Sequence, residues 1–114
     1  MKILHNPRCS KSRQTLEILQ DTGSIDKLEI VKYLETPPTA DELKEILNKL
    51  GIPAKDLIRK GEEIYKTQFK GKELSEEEWI EAMIAYPKLI ERPIVIKGDQ
   101  AVIGRPPEKV HDLL

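Results

Sequence analysis

Apolar positions change their period several times along the chain, and each change marks an element. The run "KILHN" (residues 2–6), cut off by Pro7, predicts a short buried strand. From Ser10 the spacing of Leu16, Ile18 and Leu19 turns helical, with an end near Gly23. "LEIVKYL", from Leu28, alternates as a strand does, and "ETPPT" reads as the turn after it. Thr39 followed by Glu42 is a capping-box signature ahead of a helical stripe of Leu43, Ile46, Leu47 and Leu50, closed by Gly51. Ser75 and Glu78 repeat the device before Trp79, Ile80, Met83 and Ile84, and Pro87 stops that helix. The stretch between these helices, residues 52–74, is less regular and predicts short helices.

Near the C-terminus, "RPIVIKGDQAVIGRPPE" places two short apolar runs around Gly98-Asp99, a pairing that favours a tight hairpin turn. Pro106 and Pro107 suit the start of a final helix with Val110, Leu113 and Leu114 facing inward. The order is strand, helix, strand, helical insertion, hairpin, helix. Two strands joined through a helix should lie parallel with a right-handed crossover, and the hairpin should add an antiparallel pair. This predicts an α/β fold: a thioredoxin-like (glutaredoxin-like) mixed sheet with a helical insertion between the second strand and the C-terminal hairpin. At 114 residues the chain reads as one domain, 1–114.

Composition narrows the function classes. Acidic and basic residues nearly cancel, leaving a formal charge of -1. A dedicated nucleic-acid binder would carry a strongly basic face, so no nucleic-acid partner is expected. The N-terminal apolar run is too short for a signal peptide, and none approaches the ~18 residues of a membrane span. A cytoplasmic protein with no membrane partner is expected, and a monomer, since the pattern leaves no large exposed apolar face. Cys9 is the single cysteine, which excludes an internal disulfide, and His5 and His111 lack ligand spacing, so no metal is expected.

The chemistry concentrates around "HNPRCSKSRQTLEIL" (residues 5–19). A thiol acts as a nucleophile only as thiolate, and its free pKa is near ~8.5. At a helix start, unpaired N–H groups and the helix dipole favour the anion, and the same groups bind oxyanions. Arg8, Lys11 and Arg13 would add to that field, and so would His5 if protonated or donating a hydrogen bond. A free cysteine is commonly a small inert core residue; the polar, basic loop around Cys9 argues for a reactive one. The five arginines are Arg8, Arg13, Arg59, Arg92 and Arg105. Arg92 and Arg105 flank the predicted hairpin, which should bring them together, and guanidinium groups grip oxyanions in a way lysine cannot copy. Arg59, in an irregular segment, is ambiguous by pattern alone. A thioredoxin-like fold also carries a cis-proline before its third strand, for which Arg92-Pro93 is the natural candidate.

Taken in order, "HNPRCSKSRQTLEIL", "LIRKGEEIY", "YPKLIERPIVI" and "IGRPPEKVHDLL" resemble the glutaredoxin-linked arsenate reductases of the ArsC family, in register over nearly the whole chain. The resemblance implies that Cys9 is the nucleophile and that Arg59, Arg92 and Arg105 surround the oxyanion. His5 and Asn6 match the family loop, with the histidine near the thiolate. Ser12 stands where a dithiol enzyme carries its second cysteine. Ser10-Lys11 departs from the Gly-Thr of some members, and Arg8 and Lys11 add charge those members lack. The implied activity is reduction of arsenate to arsenite, with glutathione as co-substrate, glutaredoxin as partner and no bound cofactor. A chain with one thiol needs an outside electron source in any case.

Three other readings stay open. Spx-like regulators share the fold and bind RNA polymerase, but usually carry a Cys-x-x-Cys switch, where this chain has Ser12. A phosphocysteine phosphatase would space its cysteine and arginine more widely than Cys9 and Arg13. A glutathione-linked thiol reductase with another substrate fits the same residues.

Overall fold

The computed structural model describes residues 1–21 and 28–113. The predicted end of the first helix near Gly23 and the inward-facing Leu114 lie outside the described residues. The described chain divides into two units, Met1–Thr36 with Arg92–Leu114, and Pro37–Glu91.

The first unit is built on a four-stranded sheet of order β2-β1-β3-β4, with β1 Lys2–Leu4, β2 Glu29–Val31, β3 Ile94–Lys97 and β4 Gln100–Ile103. β1 runs parallel to β2 in the register Ile3↔Ile30 and antiparallel to β3 in the register Ile3↔Val95. The hairpin turns where expected: Lys97 pairs with Gln100, Gly98 has φ 60, and no non-glycine residue described has positive φ. Those signs are those of a II′ turn, whose first central position calls for glycine. The mixed sheet with helices and a helical insertion confirms the thioredoxin-like class.

β2 is shorter than its alternation predicts. Among the described residues it is an edge strand paired with β1 alone, and β1 stops at Leu4, with His5 N–H donating a last bond to Val31 O at 2.8 Å. With no ladder left, the chain turns at Lys32, whose carbonyl accepts from both Glu35 and Thr36 N–H, each at 2.9 Å. Tyr33 is thereby buried from a turn rather than from a strand.

Helix α1 (Ser10–Asp21) and a C-terminal 3₁₀ helix (Pro107–Leu113) pack together. Ile3, Leu19, Val95, Val110 and Leu113 form the core there, with Leu16 and Ile18 partly buried against it. The final helix is tighter than an α-helix. Pro107, Val110 and Leu113 recur at the three-residue period that puts one row inward in a 3₁₀ helix. Lys97 Nζ donates to Leu113 O at 2.9 Å and ties this helix to the hairpin.

In the second unit both capping boxes form. Thr39 and Glu42 cap α2 (Ala40–Leu50), and Ser75 and Glu78 cap α3 (Glu76–Ala85). Gly51 closes α2 in the left-handed conformation at φ 71, as its placement after the stripe predicts. The irregular stretch holds a 3₁₀ turn at Ala54–Leu57 and a π turn at Tyr65–Phe69. Phe69 packs against Trp79 and Tyr86, with ring centroids 5.9 Å from each. Ile58 and Ile90, both buried, face each other across an isolated antiparallel bridge. Among the described residues no helix is long and apolar enough to cross a membrane.

Candidate active site

Pro7 lacks an N–H and cannot extend β1, so the chain turns. Asn6 organises the turn twice: its Oδ1 accepts from Arg8 N–H and its carbonyl from Cys9 N–H, both at 3.0 Å. Cys9 is left as the N-cap of α1, its carbonyl accepting the first helical bond from Arg13 N–H at 3.0 Å. An N-cap side chain normally accepts from the N–H groups two and three residues on. Here the thiol sulfur does so, with Lys11 and Ser12 N–H as donors.

Burial is the largest influence on the Cys9 thiol and pushes its pKa up, but several groups together outweigh it. Ser12 N–H, a hydrogen bond from the Arg92 side chain, Lys11 N–H and the Arg92 charge bring the net value below that of an ordinary thiol. Arg105 adds Nη2 at 3.7 Å from Sγ. The charge that acts on the sulfur therefore comes from the far end of the chain. Arg8, Lys11 and Arg13, expected to contribute, have exposed side chains, and Arg13 Nη1 donates to Pro7 O at 2.9 Å.

The hairpin brings Arg92 and Arg105 together, and one holds the other. Arg105 Nε donates to Arg92 O at 2.8 Å, while Nη2 lies on the Cys9 side. The Arg92-Pro93 peptide is cis, as the fold predicted; the Arg105-Pro106 peptide is cis as well, which sequence reasoning missed. A second missed feature is Gly104. It is buried, its N–H donates to Pro93 O at 2.8 Å, and Thr15 Oγ1 and Pro93 Cγ lie where a Cβ would be. A glycine directly before Arg105 in "IGRPPE" was the available signal.

Behind the thiol, Ser12 is fully buried and joins three groups. Its N–H reaches Cys9, its Oγ accepts from Asn6 N–H at 3.0 Å, and the same Oγ lies 2.6 Å from His5 Nδ1. His5 has its pKa lowered by burial, then by the charges of Lys32 and Arg13. It is neutral at pH 7, so it supports the loop through Ser12 and contributes no positive charge. His5, Asn6 and Ser12 thus form one buried network, and Cys9, Arg92 and Arg105 one cationic cluster around sulfur.

Arg59 belongs to the helical unit. Its N–H donates to Leu89 O at 2.6 Å and Glu91 N–H donates to Leu57 O at 2.9 Å, flanking the Ile58–Ile90 bridge. Its Nε lies 3.7 Å from Glu62 Oε1, and its Nη1 is buried without a hydrogen-bond partner.

A thiolate ringed by helix N–H groups and two guanidiniums suits nucleophilic attack on a tetrahedral oxyanion. The "ArsC family" model matches residues 4–113. The chain is 48% identical to an uncharacterized protein, YfgD, of Escherichia coli, spanning 100% of this chain and 96% of that one. It is 44% identical to an arsenate reductase of Haemophilus influenzae over 98% of this chain and 97% of the other. Among solved structures, an arsenate reductase from Vibrio cholerae superposes with a TM-score of 0.91 at 45% identity, over 100% of this chain and 98% of that one. With the family model covering nearly its full length, this chain belongs to the ArsC family.

Proposed function

We propose that this chain is an oxidoreductase that reduces arsenate to arsenite with electrons from outside thiols. One observation carries the reading: the only thiol is an N-cap, with Lys11 and Ser12 N–H, Arg92 and Arg105 all directed at its sulfur. The names of the Haemophilus and Vibrio relatives agree with it.

In this mechanism arsenate, a phosphate-like anion, is held by the N–H groups at the start of α1 and by Arg59, Arg92 and Arg105, within the loop braced by Asn6 and Ser12. The Cys9 thiolate attacks arsenic and an oxygen leaves as water or hydroxide, giving a cysteine–arsenate ester. No electrons have moved at that stage. Reduction of arsenic(V) to arsenic(III) takes two, and two thiols supply them by leaving as a disulfide. The balance is arsenate plus two thiols giving arsenite, one disulfide and water, with Cys9 restored. Glutathione is the assigned co-substrate and glutaredoxin the assigned partner. His5 acts through Ser12 to fix the loop. The catalytic species is assigned as a cytoplasmic monomer.

The test is arsenite production by the purified protein from arsenate, glutathione and glutaredoxin, followed through NADPH consumption by glutathione reductase. Wild type should turn over and Cys9→Ser should not. Full activity in Cys9→Ser would remove the cysteine ester from the mechanism, and no turnover by wild type would remove the substrate.

A further inference from the structure

Arg92 and Arg105 are directed at the Cys9 sulfur, where the arsenate reading puts the first reactant. The second reactant is an anion too. A thiolate must approach Cys9 while it already carries arsenate, and glutathione has one more carboxylate than ammonium besides its sulfur. Two negative reactants repel, and guanidiniums already matched to arsenate offset little of that. Drawing in the thiol takes cations that arsenate does not use, on the solvent side of the sulfur.

Arg8 and Lys11 flank Cys9 and meet that description. Both are exposed, and among the described residues neither side chain makes a hydrogen bond or an ion pair. Arg13 differs, its Nη1 being tied to Pro7 O. Lys11 also works against its own helix. It lies in the first turn of α1, where the dipole disfavours a cation, and that turn holds no acid. Its neighbours on the helix surface, three and four residues on, are Gln14 and Thr15, so no carboxylate offsets it there. α2 and α3 instead begin with Asp41 and Glu42, and with Glu76, Glu77 and Glu78. The charges felt by His5, behind the loop, are likewise positive: Lys32 and Arg13.

We infer that Arg8 and Lys11 form a rim that selects an anionic thiol as the outside reductant of Cys9. They act on the incoming thiol rather than on the sulfur, whose field comes from Arg92, Arg105 and the helix N–H groups. The inference rests on the reading above, that outside thiols turn Cys9 over, and adds two specificity residues to it.

The test separates the thiol step from arsenate. Cys9 is converted to its mixed disulfide with thiopyridine, an uncharged leaving group whose release is read by absorbance. A thiolate attacks the Cys9 sulfur, thiopyridone leaves with the electron pair, and Cys9 stays disulfide-bonded to the attacking thiol. Rates per thiolate are compared for glutathione, an anion, mercaptoethanol, uncharged, and cysteamine, a cation. The double variant Arg8→Gln, Lys11→Gln should slow glutathione about three- to tenfold at low salt, leave mercaptoethanol within about twofold, and not slow cysteamine. Sodium chloride should slow glutathione in the wild type and much less in the variant. Both substitutions keep the backbone of the loop, including the Lys11 N–H that donates to the sulfur. An unchanged ratio of glutathione to mercaptoethanol overturns the rim. An equal fall with all three thiols overturns it as well, because it marks a disturbed loop. In arsenate turnover the variant should raise the KM for glutathione and leave that for arsenate unchanged. If exchange shows the charge preference but wild type makes no arsenite, the arsenate reading fails and the rim stands. If wild type makes arsenite without that preference, the rim alone fails.

Discussion

Gly104→Ala would test how the hairpin is set against the cysteine helix. The new Cβ would lie 2.6 Å from Thr15 Oγ1, 3.2 Å from Thr15 Cγ2 and 2.9 Å from Pro93 Cγ. Relief requires Thr15 or Pro93 to move by roughly half an ångström or more, in an interior already packed to near-crystalline density. Thr15 is fully buried and its Oγ1 donates to Lys11 O at 2.9 Å, so displacing it strains the first turn of α1. Overpacking typically costs about 1–3 kcal/mol, and a weakened hydrogen bond adds about 1. The reduced freedom of alanine in the unfolded chain returns about 0.4–1 kcal/mol. The net loss is about 2 kcal/mol, which lowers the urea midpoint by roughly 1–2 M for a protein of this size. The assay is urea unfolding followed by far-ultraviolet circular dichroism. Thr15→Ala removes two of the three crowding atoms, so the double variant should be more stable than additivity allows, by about 1 kcal/mol. A Gly104→Ala midpoint within about 0.3 M of wild type would refute the close-packing argument, and so would strict additivity with Thr15→Ala.

Two further measurements address protonation. Iodoacetamide alkylation of Cys9 against pH should show a midpoint below the free-cysteine value of ~8.5, and Arg92→Ala should raise it by removing a donor and a charge. A wild-type midpoint at or above that of free cysteine would contradict the N-cap account. For His5, the folded pKa is below the ordinary 6.5, so the unfolded chain binds more protons just under that pH. Its contribution to stability should be complete above pH 6.5 and decline as pH falls toward the depressed folded value. His5→Gln should flatten this part of the urea-midpoint profile, and superimposable profiles would show that the histidine is not buried neutral.

What the sequence revealed and what it withheld follow from the range of the interactions. The boxes at Thr39/Glu42 and Ser75/Glu78 are closed within four residues, so their signatures are local and were legible. The Gly98 turn is local too. The end of β2 was not, because it is set by where β1 runs out of partners, a fact held some twenty-five residues away. The site divides along the same line. Cys9 as an N-cap could be read from "NPRCSKS", and the meeting of Arg92 with Arg105 from the hairpin they flank, but which of the five arginines and nearby lysine would act on the sulfur could not. The nearby Arg8, Lys11 and Arg13 point to solvent, while Arg92 and Arg105 arrive through hairpin topology. The burial of Ser12, and its bonds to His5 and Asn6, likewise needed the folded loop.

The bond from Arg105 Nε to the Arg92 carbonyl has an entropic side. A free arginine arm surrenders about 2 kcal/mol of rotamer entropy when it is immobilised. Here much of that loss is taken when the hairpin forms, before any anion arrives. Lysine at 105 could not reproduce this, because its ammonium is a point charge on a flexible stem with no rigid plane to fix one edge while presenting another. The second edge of the guanidinium is what lets the arm be still and receptive at once.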